Sequence, residues 1–175
     1  MNWLRKGAGA SILADLAAGR LAATHDALDH HQRQRPADYL RQMLITGGVL
    51  APRDEELARV ERWLADLLAA IEDPEHRRLV RAFATWRVMR RLRRSAEARS
   101  TPRTYTAHAR NKVKAAVDFL AWLAARDTAL VDCRQADIDE WLTTGPGACQ
   151  VRDFTAWAAE RRHCEEFIVP GPQRR

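Results

Sequence analysis

Apolar residues recur at helical spacing along almost the whole chain, and no segment alternates in the two-residue rhythm of a strand. The pattern predicts an all-α fold, a helical bundle of about seven or eight helices. A short N-terminal helix should end near Gly19. The polar stretch after it, THDALDHHQRQR, reads as a helix end. A helix opened by Pro36 puts Tyr39, Leu40, Met43 and Leu44 on its apolar side and is closed by Gly47-Gly48. The next carries Leu57, Val60, Leu64, Leu67, Leu68 and Ile71 on one face. Asp54, Glu55 and Glu56 occupy its first turn, where the helix dipole favours negative charge. Asp73-Pro74 stops that helix and starts another, with an apolar stripe of Leu79, Phe83 and Trp86, flanked by Ala82 and Met89. Arg90 and Arg93 continue the same stripe, and Arg87, Arg91 and Arg94 make the last turns basic on most sides. Such an end cannot enter a dry core, because buried unpaired charges cost several kcal/mol each.

Ser95 to Pro102 is the expected linker, giving a helical region over 1–98 and a second domain over 99–170. Thr101 is placed to cap a long helix, with Pro102 at its first position. Ala109, Val113, Ala116, Val117, Leu120, Leu123 and Ala124 form one apolar face of that helix. Ala115, Phe119 and Trp122 lie roughly opposite, so it should pack on two sides. Arg103, Arg110 and Lys114 line up between those faces at i, i+7 and i+11. A short helix follows, QADIDEWL, burying Ile138, Trp141 and Leu142, with Arg134 at its N-cap and Asp132 as a substitute cap. After Gly145-Pro146-Gly147, a last helix buries Val151, Phe154 and Ala158 and ends in Arg161, Arg162 and His163. The tail, 171–175, is expected to be disordered. Trp63, Trp86, Trp122, Trp141 and Trp157 are expected in the core, with a role as interface anchors as the alternative.

Composition sharpens this picture. A hydrophobic fraction of 46% beside 30% charged residues fits a globular chain with one good core or two small helical units. No apolar run approaches the ~18 residues that span a bilayer, and Asp15 interrupts the apolar segment a signal peptide would need. A cytoplasmic protein is expected. Cys133, Cys149 and Cys164 are odd in number and widely spaced, which reads as reduced thiols. His25 and Asp29 share a helical face at i and i+4, but no third ligand follows at metal spacing, so neither metal nor cofactor is expected. A net charge of +6 and a pI near 9.9 favour an anionic partner.

The order of motifs in the second half carries a family resemblance. A helix ending F-x-x-W-L (Phe119, Trp122, Leu123) is followed by a loop with Leu130, then QADIDEWL, then a helix beginning R-D-F-x-x-W-A from Arg152 to Ala158. This resembles the core-binding, SAM-like domain of tyrosine recombinases, the phage-integrase family, and more closely the N-terminal portion of actinobacterial members. The likeness extends upstream through LAAGRLAATHDALDHH and RAFATWRVMRRLRR, so it covers about Leu16 to Pro170. The family usually places Thr or Ser where Arg134 stands. The resemblance implies a module that binds double-stranded DNA for recombination or integration.

Phosphate contacts are expected from Arg90, Arg91, Arg93, Arg94, Arg103, Arg110 and Lys114. By the resemblance, Thr104 and His108 would approach base edges. The catalytic half of the family is expected to be missing: Tyr39 and Tyr105 do not stand where it places its nucleophile, nor does a His-x-x-Arg element. With no Gly-rich phosphate loop and no G-x-S-x-G either, no enzymatic activity is expected. A separate catalytic chain or self-association would then be partners. The alternatives are a helical structural or protein-interaction module and a non-functional truncated remnant.

Overall fold

The computed structural model describes residues 8–98, 102–145 and 148–170. The expected Thr101 cap, the middle of the Gly-Pro-Gly turn and the tail from Gly171 lie outside the described residues, which contain eight α-helices and no strand. No helix among them is long and apolar enough to cross a membrane. The chain forms two compact units that divide between Arg53 and Asp54. The division expected at residue 98 falls inside the second unit, whose core draws residues from both sides of it.

The first unit contains α1 (Ala8–Ala17), α2 (His25–Asp29) and α3 (Gln34–Thr46). Gly19 and Gly48, both at φ near +70, supply the left-handed turns that follow α1 and α3. Its small core is Ile12, Leu28, Ala37, Leu40 and Leu50. Here the apolar pattern misleads. Tyr39 and Met43 are 51% and 43% exposed, and α3 instead buries Ala37, Leu40 and Arg41. The Arg41 guanidinium is held inside by Asp29 at 2.5 Å and Asp38 at 2.6 Å, and Arg53 donates to the same Asp29 at 2.7 Å. A charge can face inward on this helix because it meets a carboxylate there.

The second unit begins with α4 (Glu55–Ala70), capped by Asp54, whose carboxylate accepts from the Leu57 N–H at 2.9 Å. Helix α5 is one continuous rod of three segments: α-helical Pro74–Phe83, a π-helical turn over Ala84–Met89, and α-helical Arg90–Ala98. Asp73 caps it, accepting from the His76 N–H at 2.7 Å, and this bond holds the Asp73 carboxyl below its ordinary range. Ser95–Ala98 is therefore helix rather than linker. Pro102 stands at the N-cap of α6 (Arg103–Ala124) rather than at its first helical position, so the helix starts one residue later than expected. Helix α7 (Gln135–Thr144) has Arg134 at its N-cap. Asp137, not Asp132, repairs that weak cap by accepting from the Arg134 N–H at 2.8 Å. Helix α8 (Arg152–Glu160) follows a 3₁₀ turn at Ala148–Val151.

Helix α6 packs on two sides, as its pattern predicts. Ala109, Val113, Ala116, Leu120 and Leu123 are buried on one side, Ala115 and Phe119 on the other. An aromatic cluster fastens α5, α6, α7 and α8 together. Phe119 meets Trp141 at 5.4 Å and Phe154 at 6.5 Å, while Phe83 meets Phe154 at 5.3 Å edge-on. At the end of α6, Arg126 stacks on Trp122 and pairs with Glu140 of α7.

The turn after α7 gives a first expected outcome. A methyl group at Gly145 would lie 2.6 Å from Cε2 and Cε3 of Trp141, a side chain that is 1% exposed and has nowhere to move. Gly145→Ala should lower unfolding stability by about 1–3 kcal/mol through overpacking. Denaturant titration of the two proteins checks it.

Candidate nucleic-acid interface

Residues 87–114 include ten Arg and Lys against one acidic residue, Glu97, so the stretch carries +9 while the other 147 residues carry −3. The positive balance of the whole chain therefore falls in the stretch of sequence that contains the second half of α5 and the first half of α6.

The nine residues predicted to touch DNA fall into two groups. Three are tied to α4. Arg93 pairs with Glu61 at 2.9 Å, and Arg103 with Glu56 at 3.2 Å. Arg110 donates to the Arg59 carbonyl at 3.3 Å and lies over the Trp63 ring at 5.5 Å. Arg110 thus belongs to a helix–helix seam, while Arg103, with 85% of its side chain exposed, stays open to solvent beside its glutamate. The other six are exposed: Arg90, Arg91 and Arg94 on α5, and Thr104, His108 and Lys114 on α6. Among the described residues, Arg90, Arg91, Arg94 and Lys114 have no carboxylate partner.

Trp86 is 59% exposed, which overturns its expected place in the core. The cause is the π turn. A π segment widens the helix and moves the buried face on by one residue. The buried series accordingly runs Leu79, Phe83, Val88 and Leu92, and Trp86 comes out beside the arginines, four residues before Arg90. Of the other tryptophans, Trp141 and Trp157 are buried, and Trp63 and Trp122 pack on the core half-buried.

Helices α5 and α6 leave between them a groove of about 450 Å³. Arg87, Arg91 and Leu92 line it from α5, and Tyr105, His108 and Lys112 from α6, with Asp153 of α8 at its edge. Lys112 and Asp153 pair at 2.5 Å. The groove brings Arg91 and His108 to one place and adds Tyr105 and Lys112, which sequence reasoning passed over. Their spacing with His108, three and four residues, marks one helical face and could have disclosed them.

Comparison with protein-family models, curated proteins and solved structures finds no match. The likeness to the recombinase core-binding domain stands on the residues quoted for it alone.

The candidate metal ligands elsewhere have structural partners. His25 and Asp29, the i, i+4 pair, serve separate partners: His25 Nε2 meets the Ala51 carbonyl at 2.9 Å, and Asp29 holds two guanidiniums. Among the described residues no group of three or more His, Cys, Asp or Glu gathers in a way that could hold a metal. Burial pushes the Cys133 thiol up to about 12 and the Cys164 thiol up to about 11, so both are protonated at neutral pH. One His-x-x-Arg string does occur, His30 to Arg33. It lies in the first unit, with the His30 ring bonded to the Asp26 carbonyl at 2.9 Å.

Proposed function

We propose that this chain is a cytoplasmic module that binds double-stranded DNA through its phosphates, in the manner of the core-binding part of a tyrosine recombinase. One observation carries the reading: a charge of +9 is concentrated in residues 87–114, and four of those cations are exposed with no carboxylate partner among the described residues. A duplex offers about one negative charge per 1.7 Å of its axis, and neutralising it releases counterions. Arg90, Arg91, Arg94 and Lys114 are free to do this without first breaking an ion pair. Arg93 and Arg103 would each have to leave a glutamate, so they contribute less. Contacts of this kind give affinity and orientation but little sequence information. Thr104 and His108, exposed on the same helix as Lys114, are the groups placed for base edges. No catalytic step is assigned to the chain.

The test is a triple variant, Arg90→Gln, Arg91→Gln and Arg94→Gln. Each lost phosphate contact should shallow the slope of log K against log salt by about 0.9. Arg78→Gln, whose guanidinium is paired with Glu75 near the other end of α5, should leave it unchanged. An unaltered slope in the triple variant would remove α5 from the interface.

A second reading, a protein-docking helix, is favoured by the exposed Trp86. Light scattering on the purified chain separates the two: a monomer that binds DNA supports the first, and a stable oligomer that buries Trp86 supports the second.

A further inference from the structure

We propose that the groove between α5 and α6 is a nucleotide site, holding a phosphate group against Arg91 and His108 and a flat ring on Tyr105. The inference draws on the same basic face as the DNA reading but requires no duplex. The groove's volume of about 450 Å³ lies within the range of small-molecule pockets. Its composition is that of a site for an anion with an apolar body. Val88, Leu92 and Ala109 make an apolar lining, and the Tyr105 side chain beside them is 55% exposed. Around this apolar part the cations outnumber the anions. Lys112 is matched by Asp153 at 2.5 Å, and Arg87 is drawn toward Glu160 at a longer 3.4 Å. Arg91 has no partner among the described residues, and the buried Nε of Arg87 has no hydrogen-bond acceptor.

The missing partner of such a set is an anion. A guanidinium binds phosphate through two parallel N–H donors, and an imidazole three residues along from the phenol adds a third donor when protonated. An exposed aromatic ring next to those donors is a platform on which any base can stack, irrespective of its identity. A free nucleotide and an unpaired nucleotide at a strand end share this chemistry, and the groove would recognise either.

Equilibrium dialysis of the full chain against labelled dAMP tests the site, with inorganic phosphate, a 5′-phosphorylated single strand and a blunt duplex run in parallel. Saturable binding of dAMP is expected, with inorganic phosphate weaker by about tenfold or more. Arg91→Gln and Tyr105→Ala, both at exposed positions, should each weaken dAMP by about tenfold or more, and Tyr105→Phe should restore it. A single strand that binds more tightly than dAMP makes the strand end the source, and equal affinities make it the free nucleotide. Absence of saturable dAMP binding at millimolar concentration overturns the proposal, as does binding that ignores both variants or phosphate that binds as well as dAMP. A duplex that binds while dAMP does not removes this inference and leaves the DNA reading standing. The converse removes the DNA reading and leaves the nucleotide site.

Discussion

Replacing Asp29 with alanine should cost the first unit about 3–5 kcal/mol, comparable to the whole stability of a small domain. The carboxylate is 7% exposed and receives two guanidiniums, that of Arg41 at 2.5 Å and that of Arg53 at 2.7 Å. Arg41 is itself 1% exposed, so loss of Asp29 removes a buried carboxylate from a buried guanidinium, and Asp38, which also pairs with it, is 41% exposed. The core beside this cluster is only Ile12, Leu28, Ala37, Leu40 and Leu50, too few residues to absorb the loss. Hydrogen exchange should show α2 and α3 losing protection in Asp29→Ala while α6 keeps its own. Replacing all three charges together, Asp29→Leu with Arg41→Met and Arg53→Met, should recover most of the stability, because buried ion pairs can be exchanged for apolar groups of similar size. If the single variant exchanges like the natural chain, the ion cluster does not hold this unit together.

Phe119→Ala should have a similar effect on the second unit, about 3–5 kcal/mol. Phe119 is fully buried and its ring touches those of Trp122, Trp141 and Phe154, so one truncation loosens α6 from both α7 and α8. Part of the cost is the cavity, and part is the loss of ring pairs worth roughly 0.5–1.5 kcal/mol each. Urea unfolding followed by tryptophan fluorescence reads it directly, since Trp122 and Trp141 report from the cavity wall. A midpoint unchanged by the substitution would mean that this aromatic cluster is not the centre of the core.

Several helix boundaries were legible in the sequence because local chemistry sets them, whereas α2, the start of α3 at Gln34 and the end of α5 at Ala98 were not. Gly19, Gly47-Gly48, Asp54 and Asp73-Pro74 each act within one turn of where they stand. The apolar faces of α4 and α6 were legible for the same reason, since neither helix departs from its 3.6-residue period. What failed needed knowledge of a distant partner or of a broken period. Arg41 turns inward only because Asp29, twelve residues earlier, is brought against it. Trp86 turns outward because a π turn shifts the phase of α5, and apolar spacing presumes an unbroken α-helix. Among the candidate DNA contacts, the cluster of arginines on α5 could be read from composition. Which candidates are free could not, because Glu61 reaches Arg93 of α5 and Glu56 reaches Arg103 of α6 from a helix more than thirty residues away in sequence.

The most direct test of the central claim is fluorescence anisotropy of a random ~30-base-pair duplex titrated with the natural chain, between about 50 and 200 mM salt. With Arg90, Arg91, Arg94 and Lys114 each neutralising one phosphate, log K should fall against log salt with a slope of about −3.6, a loss of affinity of roughly a hundredfold across that range. Absence of saturable binding at the lowest salt, or a slope near zero, would contradict the account and leave the basic face of α5 and α6 as solvated surface.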